Sequence, residues 1–337
     1  MQQDVSVTIA AGLQLPSIRL VHEAFGILLV KRVPIKRKSN VSQVDFARDH
    51  LSSQGMPVLI TDATEHWPAR SKWTFDFFRT TYGSDLARAW LELMGVVSKV
   101  TTLASYINFL DAPAAELPGL WVGRDGRPLR VPPEPGGSPL YLLGWKAFDF
   151  HPELYSDITP APYFVLDWVS ALTPTLRKVL ERASGRDYTA VYLGPAGSLS
   201  PLHQDFAYTH AYLAQIQGRK RAVLFSPQDS NFLYRGKVNP EEPDSGRFPL
   251  FDQATAYECV ISPGETLFIP AGWWHYVRGL EKSITVSHNF FNDVNFTDYM
   301  LSILQNIPSL MESLEKSPEW REELRTKWGP GLLARFR

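Results

Sequence analysis

Cysteine is almost absent from this chain, since Cys259 is the only one among its 337 residues. A single thiol excludes an internal disulfide framework, which stabilises many small secreted domains. The sequence also has no apolar run approaching the roughly 18 residues that a membrane span requires. Its start, MQQDVSVTIAAG, lacks the basic residues and the apolar core of a secretion signal. We therefore expect a cytoplasmic protein without a membrane partner.

The chain also has no large excess of positive or negative charge, because its formal net charge is −1. No overall field favours nucleic acid, and we expect no nucleic-acid partner. The one basic run, within residues 31–38, could contact phosphates or serve as an address, but it has no interleaved aromatic residues. That composition favours a solvated strand end. With 44% hydrophobic and 20% charged residues, the chain suits one large domain or two smaller ones.

The N-terminal part mixes helical and strand-like patterns. VSQVDFARDHL has apolar residues at helical spacing, and GMPVLITDA has the pattern of a buried strand. WPARSKWTFDFFRTTYG predicts a loop followed by a helix that ends at Gly83. Residues 123–139 are dominated by glycine and proline, which predicts a long exposed loop.

From Thr189 to Phe291 the pattern changes to short β-rich runs separated by turn signals. Regular short strands of this kind predict a barrel or a sandwich. The runs are TAVYLG, AYLAQIQG, KRAVLFSP, YECVISPG, TLFIPAG and SITVSHNFF. After Asn295 the tail is helical, and a second helix is predicted from Ser317-Pro318. The apolar stripe of the first tail helix is Phe296, Met300, Ile303 and Leu304.

A metal site is indicated by SPLHQD. Alternate residues of a strand point to the same side, so His203 and Asp205 project together. A third ligand is available in SPGETLFIPAGWWHYV, where His275 follows a strand. Two histidines and one carboxylate form the facial triad that leaves three positions open on Fe(II). Zinc remains an alternative, although catalytic zinc normally occupies a tetrahedral site.

Several motifs together resemble the JmjC-type (Jumonji-C, cupin-like) Fe(II)/2-oxoglutarate oxygenases, most closely their hydroxylase branch. The motifs are SPLHQD, QIQGRKRAVLFSP, SPGETLFIPAGWWHYV and ITVSHNF, preceded by GMPVLITDATEHWP. The resemblance covers roughly residues 50–295 and implies a mainly β fold, a double-stranded β-helix (jelly-roll barrel) with helices outside. We expect an oxygenase domain at 1–295, with an N-terminal part at 1–140 and a barrel core at 141–295. A helical tail would then occupy 296–337.

The resemblance also assigns roles to individual residues. It implies that iron is bound by His203, Asp205 and His275, and that 2-oxoglutarate is bound by Lys220, Ser200, Tyr141, Ser287 and Asn289. Two alternatives stay open at this point. The three ligands would form a polar cluster in a cupin that has lost its metal, and Lys220 would be an exposed strand-end residue. Burying such a cluster without metal requires many compensating hydrogen bonds, which argues against the first alternative.

The substrate side is less well defined. The loop after Asp205 is longer than in many members of the family, and Leu213 stands where many carry asparagine. We place His210 and Trp274 as substrate-side candidates. For Trp274, packing in the core is the alternative. His288 should face away from the site, because it alternates with Ser287 and Asn289.

The function that the resemblance implies is an Fe(II)-, 2-oxoglutarate- and O₂-dependent dioxygenase. It would hydroxylate an amino-acid side chain of a protein or peptide and release succinate and CO₂. The alternatives are oxidation of a small molecule or a tRNA base, and a non-enzymatic cupin-like binding module. In some relatives a helical tail forms a dimer interface, so homodimerisation through the C-terminal helices is a further expectation.

Overall fold

A computed structural model describes most of the chain, namely residues 30–91, 97–112, 116–123, 127–129, 139–143, 145–158, 162–184, 187–305 and Glu322. Most of the predicted loop at 123–139 lies outside these residues, as does the predicted second tail helix. Within the described residues, no helix combines the length and the apolar composition needed to cross a membrane.

Fifteen strands and seven α-helices are present in the described part of the chain. The strands are β1 Lys31–Pro34, β2 Arg37–Lys38, β3 Val58–Ile60, β4 Leu86–Trp90, β5 Val97–Thr102, β6 Leu120–Gly123, β7 Tyr141–Leu142, β8 Thr189–Gly194, β9 Leu199–His203, β10 His210–Gln217, β11 Lys220–Phe225, β12 Thr255–Ile261, β13 Thr266–Ile269, β14 Trp274–Gly279 and β15 Ser283–Phe290. The helices are α1 Gln43–Asp49, α2 Ala69–Lys72, α3 Phe75–Tyr82, α4 Leu103–Asp111, α5 Ala147–Phe150, α6 Pro174–Ser184 and α7 Phe296–Leu304.

The last eight strands form two facing four-stranded sheets. One sheet has the order β13-β10-β15-β8, and the other has the order β12-β11-β14-β9. Successive strands pass repeatedly from one sheet to the other, which is the double-stranded β-helix of a jelly roll. The predicted fold class is therefore confirmed, with α7 as the first of the predicted C-terminal helices.

The N-terminal part adds strands to both sheets. In the large sheet, β7-β4-β5-β6 continue from β8, and β3 and β2 continue from β13. In the small sheet, β1 pairs in parallel with β12. The proposed domain boundaries stay a prediction, but β1 and β3, which precede residue 141, pair with β12 and β13 of the jelly roll.

Burial on both faces explains the composition of the central strands. All eight residues of β15, SITVSHNF, are buried. Between the sheets, apolar side chains of other strands form a cluster that includes Leu59, Leu213, Leu224, Ile261 and Leu267. The outer side packs under helices, in a larger cluster rich in aromatic residues. In β15, Ile284, Val286 and Phe290 belong to this outer cluster, whereas Ser287 and Asn289 face inward, so the strand alternates although both of its faces are buried.

Local capping defines the N-terminal helices. Ser42, Thr74 and Thr102 each accept a hydrogen bond from a backbone N–H in the first turn of α1, α3 and α4, as N-cap residues commonly do. The predicted helix end at Gly83 is confirmed, because α3 stops at Tyr82.

The hairpin between β10 and β11 requires glycine at position 218. Gly218 has φ +71°, and a Cβ at this position would lie 2.2 Å from the carbonyl oxygen of Lys282. A side chain is therefore excluded by conformation and by contact. The turn brings Lys220 to the first position of β11, opposite Ile261 and Gly279.

The tail helix α7 buries a different stripe from the predicted one. Tyr299 and Ile303 are its buried residues, whereas Phe296 and Leu304 are partly exposed. Tyr299 stacks on Phe291, which fixes this face toward the core. Ile303 was placed correctly, and dimerisation through the tail stays a prediction.

Candidate active site

Three potential metal ligands meet where the small sheet ends. His203 is the last residue of β9 and lies opposite His275 of β14 in the strand register. Asp205 follows in the loop after β9, still with extended backbone angles. Its Oδ1 lies 3.9 Å from Nε2 of His203 and 3.7 Å from Nε2 of His275. One ligand atom from each side chain falls within 4.8 Å of the others, so the group can hold a metal ion.

Hydrogen bonds to backbone carbonyls orient both imidazoles. Nδ1 of His203 is 2.7 Å from the carbonyl oxygen of Pro201, and Nδ1 of His275 is 3.2 Å from that of Trp273. Because a carbonyl can only accept, each Nδ1 is the donor, and each Nε2 is the ring nitrogen whose lone pair can bind a metal. Both lone pairs belong to the atoms nearest Asp205. This outer hydrogen bonding is the usual arrangement of metal-binding histidines.

A buried lysine lies in the same cavity. Lys220 is 2% exposed, and its Nζ donates a hydrogen bond of 2.7 Å to the hydroxyl of Tyr141. Burial lowers the pKa of Lys220 to about 7. Among the described residues, no carboxylate lies within ion-pair distance of this amine. The alternative that Lys220 is an exposed strand-end residue is therefore wrong. In its protonated form this lysine is a desolvated cation in the cavity, which an anionic ligand would stabilise.

The other residues predicted to bind 2-oxoglutarate line this cavity too. Ser200 enters it from β9, and Ser287 and Asn289 enter it from β15. The side-chain amide of Asn289 donates to the hydroxyl of Thr209 at 3.1 Å. Because the cavity takes its polar groups from both sheets, it opens between them at the metal end of the jelly roll.

The remaining wall of the cavity is mostly apolar. Phe206, Ala211, Leu213, Ile269 and Val277 line it. Phe206 belongs to the loop in which the sequence departs from the family pattern, and Leu213 occupies the position where many members carry asparagine. An apolar wall beside the ligands excludes water from that side of the metal position.

His210 is not a substrate-side residue of this cavity, so that prediction is wrong. It is 1% exposed and lies between the rings of Phe268 and Phe290, on the outer side of β10. Its Nδ1 accepts a hydrogen bond of 3.0 Å from the backbone N–H of Ala271. Burial lowers its pKa to about 4. Strand alternation explains the placement, because Ala211 and Leu213 point inward.

Trp274 is also misplaced as a substrate-side candidate. Its indole N–H donates to the hydroxyl of Ser230 at 2.9 Å, and the ring packs on the outer side of the small sheet. Alternation along β14 accounts for this, since His275 and Val277 face the cavity. His288 points away from the cavity as predicted, but it is buried and hydrogen-bonded to Thr189 and Asp167.

Three polar residues of the cavity escaped the sequence analysis. Asp187, Tyr192 and Gln204 line it. Alternation in TAVYLG would have identified Tyr192, because Ala190 and Tyr192 share the inner side of β8. Gln204 donates to the carbonyl oxygen of Gly272 at 2.6 Å. Asp187 precedes the strand and forms an ion pair with Lys146, and no sequence signal marks it.

Comparison with known proteins relates this chain to oxygenases. The model of the family described as "Cupin-like domain" matches residues 152–298. The arginine-specific demethylase JMJ20 of Arabidopsis thaliana is 27% identical over 86% of this chain and 64% of its own length. Lysine-specific demethylase 8 of Danio rerio is 33% identical over 72% of this chain and 54% of its own. The 2-oxoglutarate and iron-dependent oxygenase JMJD4 of Danio rerio is 33% identical over 56% and 44%. The chain thus covers less than two thirds of the length of each of these relatives.

Proposed function

The chain carries a cupin-like domain of the JmjC type, and from this premise we propose that it is an Fe(II)- and 2-oxoglutarate-dependent oxygenase. The proposed reaction is hydroxylation of a side chain in a protein or peptide. One observation carries the proposal: a cluster of two histidines and an aspartate shares its cavity with a buried lysine that has no carboxylate partner among the described residues.

The metal would be held by His203, Asp205 and His275. The donor set fits Fe(II), because two neutral imidazoles and one carboxylate are the ligands of the facial triad. Their fixed tautomers present both Nε2 atoms without rearrangement. A separate anion pocket beside the ligands favours iron with a keto-acid cosubstrate over zinc, which would have no use for it.

The distal carboxylate of 2-oxoglutarate would be bound by Lys220, with Tyr141 and Ser200 beside it. The ammonium donates a charge-assisted hydrogen bond, which offsets the desolvation of both groups. Ser287 and Asn289 would complete the polar side of the pocket. When bound, iron and 2-oxoglutarate supply the oxidative decarboxylation that delivers one oxygen atom of O₂ to a C–H bond.

The chain's own residues then position the substrate and exclude water. Phe206, Leu213 and Ile269 form the apolar wall next to the ligands. A closed apolar wall protects a reactive oxidant from side reactions with solvent. The substrate's C–H bond would enter past Phe206 and Asp187, two cavity residues that are assigned to neither the metal nor the cosubstrate.

Removal of an N-methyl group is the second candidate outcome, favoured by the relatives named demethylases. The same C–H hydroxylation on an N-methyl carbon gives a hemiaminal that releases formaldehyde. The residues around the metal serve both outcomes equally, so the substrate decides between them.

Mass spectrometry of a protein extract treated with the enzyme tests the proposal. Peptides heavier by one oxygen atom, formed only with 2-oxoglutarate and accompanied by succinate, are the expected result. Peptides that lose a methylene unit with release of formaldehyde would establish demethylation instead. If Asp205→Ala and the unaltered enzyme give the same products, or if no succinate forms, the proposal is wrong.

A further inference from the structure

The loop that carries Asp205 crosses from one sheet to the other. It leaves β9 of the small sheet after His203 and enters β10 of the large sheet at His210. Within it, Ala207 and Tyr208 both have φ +51°. Two adjacent residues with side chains in the left-handed region are strained, and such strain persists only where the surroundings impose it.

An asparagine at the start of the last helix holds this loop. The side-chain Nδ2 of Asn295 donates to the carbonyl oxygen of Tyr208 at 2.8 Å. Its Oδ1 accepts from the backbone N–H of Asn292 at 2.9 Å. Since one partner can only accept and the other can only donate, the orientation of the amide is fixed. Asn295 is 3% exposed, so water does not compete for either bond.

Asn295 is used differently from an ordinary N-cap. It occupies the N-cap position of α7, yet its side chain makes no hydrogen bond to that helix. Asparagine, aspartate and serine at this position normally accept from the first turn. Here the amide instead binds the strained loop.

Further contacts transmit this support toward the metal site. Asn289 donates to the hydroxyl of Thr209, which in turn donates to the carbonyl oxygen of Phe206 at 3.0 Å. The ring of Phe206 packs on Tyr188 and lines the cavity next to Asp205. The end of the turn at 208–209 is thus held directly by Asn289 and Asn295, and Thr209 passes this support on to Phe206.

We propose that Asn295 is a positioning residue for Asp205. By bonding to Tyr208 it holds the strained turn, and the turn fixes Asp205 relative to the two histidines. The inference rests on the proposed metal site and adds that ligand geometry depends on the N-cap residue of α7.

Asn295→Asp separates this role from helix stability. The substitution keeps the shape, the acceptor for Asn292 and a good N-cap, but it sets a carboxylate oxygen against the carbonyl oxygen of Tyr208. Asn295→Ser also retains an N-cap and is too short to reach Tyr208. Asn231→Asp, at an exposed position, is the control for the added charge.

The experiment measures Co(II) affinity from the visible ligand-field spectrum and hydrogen exchange of the 204–209 segment in the full-length protein. Loss of a support for a ligand typically weakens metal binding by about tenfold or more. We expect that loss for Asn295→Asp and Asn295→Ser, with an altered spectrum, faster exchange in 204–209 and a Tm close to that of the unaltered protein. Asn231→Asp should match the unaltered protein.

Unchanged Co(II) affinity and spectrum in both Asn295 variants would overturn the inference while leaving the proposed function intact. The inference would also be overturned if the variants had a lower Tm that accounts for the whole loss of Co(II) affinity, with faster hydrogen exchange throughout the jelly roll. Asn295 would then be a structural residue only. If the unaltered protein binds no Co(II), the proposed function fails, and the inference fails with it.

Discussion

Burial determines the protonation state of two titratable residues in the interior of this protein. The pKa of Lys220 is lowered to about 7 and that of His210 to about 4, in both cases because burial disfavours the charged form. His210 is thus neutral at physiological pH, whereas Lys220 is poised to gain a proton when an anion binds beside it. Burial thus keeps His210 uncharged at physiological pH, whereas it makes the charge of Lys220 depend on whether an anion is bound.

Binding of 2-oxoglutarate should therefore depend on pH through Lys220. The carboxylate binds the ammonium form, so below about pH 7 the Kd should be flat. Above it, the Kd should rise by up to tenfold per pH unit, because binding must then take up a proton. Calorimetric titrations with Co(II) in place of iron, in buffers of different ionisation enthalpy, measure both the Kd and the proton uptake.

Lys220→Met is the matched variant, because it keeps an unbranched side chain of nearly the same length without the charge. It should bind 2-oxoglutarate weakly and without this pH dependence. A Kd that rises with pH equally in both proteins would assign the titration to another group and remove Lys220 from the pocket.

His210→Ala should leave the metal bound. The residue lies on the outer side of β10, so its loss removes packing against Phe268 and Phe290 and leaves the N–H of Ala271 without its acceptor. We expect a loss of about 1–3 kcal/mol in the free energy of unfolding and an unchanged Co(II) affinity. Loss of metal without loss of stability would show that His210 is a ligand.

The sequence predicted the inward residues where it supplied two independent signals. His203 and Asp205 share a side by alternation, and the GWWH motif supplied His275. For Trp274 the motif is the only signal for a place on the substrate side. Alternation along the strand from His275 instead places Trp274 on the outer side of the small sheet. His210 required the register of β10, which is set by pairing with β13 and β15 and not by any local pattern.

Among the structural elements, the β10–β11 hairpin links stability to the cosubstrate pocket. Gly218→Ala should lower the free energy of unfolding by more than about 1 kcal/mol, because the left-handed turn cannot accept a side chain without strain. It should also weaken 2-oxoglutarate binding, since Lys220 follows two residues later. Chemical denaturation and calorimetry check the two effects.

Gly246→Ala is the control for this prediction. Gly246 is exposed, and the nearest atom to an added Cβ would be 3.4 Å away, in the side chain of Asp244. Its effect should stay within about 0.5 kcal/mol. Equal effects of the two substitutions would contradict the role given to the hairpin.

Strands were predictable where the chain is buried on both sides and glycine or proline marks the turns. All six β-rich runs between Thr189 and Phe291 form strands. The N-terminal strands that extend the large sheet are not predicted by the sequence, for example LARAW of β4 and VSKVTT of β5, because they mix polar and apolar residues without regular alternation. The parallel pairing of β1 with β12 joins residues more than 200 positions apart, and no local signal specifies it.

For the whole molecule, the two sheets depend on strands from both ends of the chain. β1 borders the small sheet and β3 the large one, and Phe46, Trp73 and Phe78 fill the core outside the jelly roll. A fragment of residues 141–337 would lose these strands and this packing. We expect it to lack a cooperative thermal transition, whereas the full chain should unfold in one.

A fragment of residues 30–337 keeps every described strand and serves as the control. It should melt cooperatively near the temperature of the full chain. A fragment of residues 141–337 with sharp near-ultraviolet dichroism and a cooperative transition would instead show that the core folds by itself.

Anaerobic titration with Fe(II) and then 2-oxoglutarate, followed by exposure to O₂, tests the central claim most directly. Bidentate binding of the keto acid to iron in the facial triad should produce a visible charge-transfer band, and O₂ should then yield succinate. Asp205→Ala should show neither, and His210→Ala should show both. If the unaltered protein gives no band and no succinate, the chain is not a 2-oxoglutarate-dependent oxygenase.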